Sequence, residues 1–193
     1  MVATPSTMLP LGTQAPDFSL FDPRRQKYVR LSENSIKEGY LVAFICNHCP
    51  YVIHLLDHLT ESFNLWSEEN IQCFAICSND VENYPADSPR KMAELAEEKD
   101  FSFPYLHDEG QQVAKLYKAA CTPDFFLFDK ERKLFYRGQY DSSRPGNDTE
   151  VSGVDLADAI DALRTESSAP IDQAPSLGCN IKWKKGNEPD YLG

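Results

Sequence analysis

The sequence predicts an α/β domain: a central mixed β-sheet flanked by helices, with a hairpin before it and an extended tail after it. Three observations carry this. Apolar runs of strand length alternate with stretches whose apolar residues recur every three to four positions. The run YLVAFI, Tyr40–Ile45, is apolar throughout, as suits a strand buried on both faces. The last two strand-like runs adjoin through a short turn, which makes them antiparallel and the sheet mixed.

The elements follow in order. Residues 1–10, MVATPSTMLP, read as a loose N-terminal arm; residues 11–166 form the domain, and residues 167–193 form a tail that packs on it. APDFSLFD and KYVRL alternate apolar with polar residues and pair as a hairpin. After Tyr40–Ile45 the period changes: Val52, Leu55, Leu56, Leu59, Phe63 and Trp66 form one helical stripe. NIQCFAIC returns to strand. SPRKMAELAEEKD is helical, with Ser88 as N-cap and Pro89 in the first turn. DEGQQVAKLYK is a shorter helix. DFFLFD and KLFYRGQYD are strands joined by the turn Asp129–Arg132, and SGVDLADAIDALR is a last helix capped by Ser152. In the tail, Leu177, Cys179, Ile181 and Trp183 alternate with polar neighbours, which predicts an extended segment with one face on the body.

Apolar residues at 41% and charged residues at 25% suit a chain that builds a real core. No apolar window is long enough to span a membrane. The first residues lack a basic start followed by an apolar stretch, so a cytoplasmic home is expected. A net charge of −11 excludes nucleic acid as a partner, because phosphates need a basic face.

In that compartment the six cysteines should be reduced thiols, and a CxxC points to chemistry or metal before a structural bridge. Cys46 and Cys49 stand where strand gives way to helix. A helix N-terminus carries partial positive charge and unsatisfied N–H groups, which stabilise a thiolate. Two intervening residues let the sulfurs meet across the first turn, so that one attacks a disulfide and the other resolves the intermediate. Pro50 fits the first helical turn, and a protonated His48 would favour the thiolate further. On this reading Cys46 starts the helix and is the more exposed sulfur with the lower pKa, while Cys49 is more buried.

Competing readings are weaker. A zinc clip needs a second Cys or His pair with knuckle spacing; Cys73 and Cys77 instead share one face of a strand as small buried groups. His54 and His58 have chelating spacing but fall on the polar side of their helix, a solvated face. Cys121, two residues before Pro123, and Cys179, on the tail, are candidate additional redox thiols against a background of plain burial. Arg144–Asn147 reads as a turn.

The order strand, CxxC, helix, strand, helix, then Thr122–Pro123 opening a strand resembles the thioredoxin superfamily. GTQAPDFSL, CNHCPYV, CTPDFFLFD, YRGQYD, RPGN and GCNIKWK resemble more narrowly its peroxiredoxin-like redoxin branch, related to AhpC/TSA and TlpA proteins. The resemblance covers roughly residues 11–186 and implies a cis Thr122–Pro123 lying against the CxxC. It implies a thiol–disulfide oxidoreductase with Cys46, Cys49, His48, Thr122 and Pro123 at the site. The substrate would be a protein or small-molecule disulfide, or a peroxide, with a thiol system as electron donor. No cofactor and no resident metal are expected, and nothing in the sequence sets an oligomeric state.

The alternative is a thiol peroxidase with Cys49 as peroxidatic cysteine. The threonine expected three residues before it is Cys46, and the proline seven before it is Val42. A third reading, a metallochaperone holding copper or zinc through Cys46, Cys49 and a histidine, departs from the CxxxC spacing of the Sco type. The buried carboxylate that thioredoxins carry in the strand before the motif is absent from Tyr40–Ile45.

Overall fold

A computed structural model describes residues 3–33 and 38–192. The hairpin forms as expected, from β2 (Ser19–Asp22) and β3 (Lys27–Arg30), which follow the short strand β1 (Thr4–Pro5). The apolar run becomes β4 (Gly39–Phe44), buried along its whole length. Alternation explains how it serves both faces. Leu41 and Ala43 enter one core, while Tyr40, Val42 and Phe44 enter the other.

The stripe beginning at Val52 becomes α1 (Pro50–Glu68), a helix of 19 residues. Its buried face is Val52, Leu55, Leu56, Leu59, Phe63 and Trp66, together with Thr60. After β5 (Ile71–Cys77) come α2 (Pro89–Glu98), β6 (Tyr105–His107), α3 (Gln112–Leu116), β7 (Cys121–Thr122) and β8 (Asp124–Asp129). The chain closes with β9 (Leu134–Gly138), α4 (Val154–Arg164) and β10 (Leu177–Asn180).

One sheet runs in the order β3-β2-β6-β5-β4-β8-β9. β4, β5 and β6 are parallel, and β8 joins β4 antiparallel, so the sheet is mixed. α1 and α4 pack against one face, α3 against the other. The fold is thioredoxin-like.

Several local expectations are corrected. Ser88 occupies the N-cap of α2 but makes no side-chain capping bond. The N-cap of α4 is Gly153, at φ 62°, rather than Ser152; Asp141 receives its backbone N–H, 2.7 Å. β6 follows Pro104 and is three residues long, too short to show a period in sequence.

The N-terminal arm is anchored rather than loose. Thr4 and Pro5 pair with Gly178 and Leu177, and Ser6 N donates to Ser176 O at 2.9 Å. β10 therefore lies between β1 and β7 in a second, three-stranded sheet. This brings the tail onto the Thr122–Pro123 turn, with Cys179 opposite Thr122 and Asn180 opposite Cys121. Gly178 permits the approach: a Cβ there would collide with the Thr122 carbonyl oxygen.

Candidate active site

β4 ends at Phe44 and α1 begins at Pro50, so the CxxC occupies the bend between them. Asn47 and His48 lie in that bend, and Cys49 is the N-cap of α1. The helix thus starts one residue after Cys49, and its N-terminal field bears on Cys49 rather than on Cys46. Pro50 sits at the first helical position, where its missing N–H costs nothing.

Both sulfurs are covered, with Cys46 1% and Cys49 0% exposed. The expected contrast between an open Cys46 and a hidden Cys49 is absent. The Thr122–Pro123 peptide is cis and Thr122 meets both thiols. Cys46 Sγ stands 3.5 Å from Thr122 Oγ1, and Cys49 Sγ donates to Thr122 O at 3.0 Å.

The two thiols also act on each other's ionisation. The Cys46 thiol is the largest influence holding Cys49 down, to about 4; burial opposes it, and the Cys179 thiol and the Thr122 side chain act with it. The same contact, together with burial, pushes Cys46 well up. Burial and the Thr122 carbonyl, which only a protonated Cys49 can engage, work the other way. The Cys46 contact and the helix start thus favour the charged form at Cys49, whereas the sequence expectation gave Cys46 the lower pKa.

His48 is 28% exposed and marks the solvent side of the site. Its Nδ1 lies 4.0 Å from Cys46 Sγ and 2.7 Å from Asp87 Oδ2. Asp87 is fully buried at the end of the 3-10 turn Pro85–Asp87, and it also accepts from Asn47 N and Asn79 Nδ2, each at 2.8 Å. The His48 ring stacks on Tyr84, with centroids 5.5 Å apart.

The buried carboxylate missing from Tyr40–Ile45 is therefore supplied from elsewhere. Sequence reasoning passed over Asp87, because it sits just before an ordinary helix start; only the turn Tyr84–Ser88 returning over the bend reveals it. Cys46, His48 and Asp87 each offer a donor atom within 4.8 Å of the others. The 2.7 Å separation of Nδ1 and Oδ2 is that of a hydrogen bond, whereas two ligands of one tetrahedral zinc stand about 3.3 Å apart.

The remaining candidates divide. Cys179 joins the site, where its thiol and that of Cys49 act on each other's ionisation. Cys121 is buried and turned into its own loop, where it donates to Pro123 O at 3.4 Å. Cys73 and Cys77 are buried in the core, and burial pushes Cys73 up to about 12.

His54 and His58, expected on the solvated polar side of α1, are half-buried. His54 Nε2 pairs with Ser143 Oγ at 2.7 Å, and His58 Nδ1 with Tyr140 OH at 2.6 Å. They tie α1 to the loop that carries the turn Arg144–Asn147. That loop and the tail line a small cleft beside Pro123, with Tyr51, Tyr140, Arg144 and Leu177 among its walls.

A CxxC at a helix start, a cis proline beside it and a thioredoxin-like sheet define a redoxin of the thioredoxin superfamily. The chain belongs to the AhpC/TSA family, which it matches over residues 11–137. It is 47% identical to an uncharacterized conserved protein from Geobacillus kaustophilus, covering 95% of this chain and 97% of that one, with a TM-score of 0.92. It is 42% identical to the hypothetical protein SMc02350 from Sinorhizobium meliloti 1021, covering 95% and 100%, again with a TM-score of 0.92. The thioredoxin domain of thiol-disulfide oxidoreductase BVU-2223 from Bacteroides vulgatus shares the fold at 18% identity, covering 80% and 97%, with a TM-score of 0.60. No curated protein matches the chain. Among the described residues, no helix is long and apolar enough to cross a membrane.

Proposed function

We propose that the protein is a thiol–disulfide oxidoreductase in which Cys46 and Cys49 cycle between dithiol and disulfide. The observation that carries this is that both thiols of the CxxC lie against the Thr122–Pro123 turn, Cys46 Sγ 3.5 Å from Thr122 Oγ1 and Cys49 Sγ 3.0 Å from Thr122 O. A substrate sulfur arrives on the His48 side, next to Cys46. The proton held by Cys46 passes to Cys49, and the Cys46 thiolate attacks the substrate disulfide. The substrate's leaving thiolate takes up a proton. Cys49 then loses its proton, which the His48–Asp87 pair accepts, and attacks Cys46 Sγ. The Cys46–Cys49 disulfide forms and the second substrate thiol leaves. An external dithiol restores the reduced pair.

The thiol peroxidase reading has one specific observation in its favour: Cys49 is the low-pKa thiol at the helix N-cap. Two others weigh against it. The position of the peroxide-polarising hydroxyl is Cys46. Arg137, a fully buried arginine, holds Asp124 at 3.2 Å and Lys118 O at 2.9 Å through Nη2, and no contact joins it to either cysteine of the motif among the described residues. Losing such a donor commonly costs about 10²–10³ in rate.

Insulin disulfide reduction and peroxide consumption by wild type, Cys46→Ser and Cys49→Ser separate the two. Disulfide reduction should vanish in both variants, with slow peroxide turnover throughout. Fast peroxide consumption that survives Cys46→Ser and disappears in Cys49→Ser would sink the dithiol reading in favour of the peroxidase.

A further inference from the structure

Cys179 lies outside the CxxC and more than 120 positions along the chain, yet it ends beside Cys49. Two independent features put it there. β10 pairs with β7 so that Cys179 is opposite Thr122, the residue whose carbonyl engages Cys49. Gly178 lacks the side chain that would hold the tail off that turn. Cys179 and Cys49 are packed in one core cluster with Cys46, and each of the two thiols acts on the other's ionisation.

The other buried cysteines contrast with it. Cys73 touches the backbone oxygen of Ile71, and Cys121 touches that of Pro123. A thiol placed on a reactive sulfur by a glycine-enabled strand does more than fill space.

We propose that Cys49 and Cys179 form a second redox-active pair, so that the disulfide made at Cys46–Cys49 moves inward to Cys49–Cys179. The step rests on the dithiol reading above for its oxidising equivalents, which the substrate disulfide supplies. Cys179 loses its proton and its thiolate attacks Cys49 Sγ. The Cys49–Cys179 bond forms as the Cys46–Cys49 bond breaks. Cys46 leaves as a thiolate and takes up the proton that Cys179 gave up. No electrons are gained or lost in the exchange.

The outcome is a reduced Cys46 on the His48 side, free to engage a second substrate, and a tail strand stapled to the start of α1. Burial holds Cys179 high, near 12, so the exchange is slow beside the first step.

The test is the full-length Cys46→Ser protein, reduced and then treated with diamide. It should lose two free thiols and yield a peptide pair linking Cys49 to Cys179; adding Cys179→Ser should abolish both. If Cys46→Ser fails to fold by circular dichroism, wild type equilibrated in glutathione buffers decides, since its peptide map should contain both linkages. Recovery of Cys49 free or glutathionylated, with Cys179 free, overturns the pair in either protein. Insulin reduction by wild type keeps the two ideas apart. Activity with no Cys49–Cys179 link overturns the second pair alone; a link in an inactive protein supports the pair and overturns the dithiol reading.

Discussion

Cys49 shows how little a residue's own chemistry decides. Its usual pKa lies near 8.5, yet the Cys46 thiol first, then the Cys179 thiol and the Thr122 side chain, draw it to about 4 against the effect of burial. Because the folded value lies below the ordinary one, the thiolate persists from neutral pH down to that value and is lost below it. Thiolate absorbance at 240 nm in the reduced protein should therefore hold through pH 6 and fall near pH 4. Cys46→Ala removes the leading donor and should move that transition up by one unit or more, since about 1.4 kcal/mol corresponds to one unit. An unchanged transition would mean that another group sets it. Asp87 makes a complementary case. It satisfies three donors while fully buried, so Asp87→Ala strands Asn47 N, Asn79 Nδ2 and His48 Nδ1. Each stranded buried group costs about 1–3 kcal/mol, and the loss should appear as a lower urea midpoint.

Among the elements, α1 carries the largest apolar load. Phe63 is fully buried and its ring meets those of Trp66, Phe103 and Phe125. Phe63→Ala should cost about 3–5 kcal/mol by denaturant unfolding, through lost transfer and a cavity that the rings cannot close. β10 is the opposite kind of element, short and held by geometry. Gly178→Ala should cost about 1–3 kcal/mol as the tail shifts off Thr122, and should raise hydrogen exchange at the β7–β10 bonds. The elements that the sequence made legible have periods within their own residues: β4, α1 and the β8–β9 hairpin. The CxxC and Thr122–Pro123 were legible for a related reason, since a fixed motif stands at each strand end. β6, the anchoring of Thr4–Pro5 and the opposition of Cys179 to Thr122 depend on partners far along the chain, which no local pattern records. Asp87, His54 and His58 escaped because their roles are set by what a distant loop brings to them. The helix starts at Pro50, not at Cys46 as the sequence suggested, because Asn47, His48 and Cys49 form a bend before it.

At the scale of the molecule, reactive sulfurs at 1% and 0% exposure pose a problem of access. Neither can reach a disulfide until something over them moves. The N-terminal strand, the tail and the Thr122–Pro123 turn are one connected cover. It is fastened by Ser6 N to Ser176 O at 2.9 Å, Ser176 Oγ to Gly138 O at 2.7 Å, and Lys182 N to Asn79 Oδ1 at 2.8 Å. Asp80 N closes the far end on Lys182 O at 2.8 Å. Local opening of such a segment costs less than global unfolding, and each 1.4 kcal/mol of opening cost slows a buried thiol about tenfold. The reaction of reduced protein with Ellman's reagent should therefore saturate as reagent increases, levelling at the opening rate. Sub-denaturing urea should raise that plateau, and Gly178→Ala should raise it further by loosening the turn end of the cover while leaving the Lys182 end closed. A rate that climbs in proportion to reagent, at the speed of an exposed thiol, would mean that the sulfurs are reached without opening and that the cover plays no part in access.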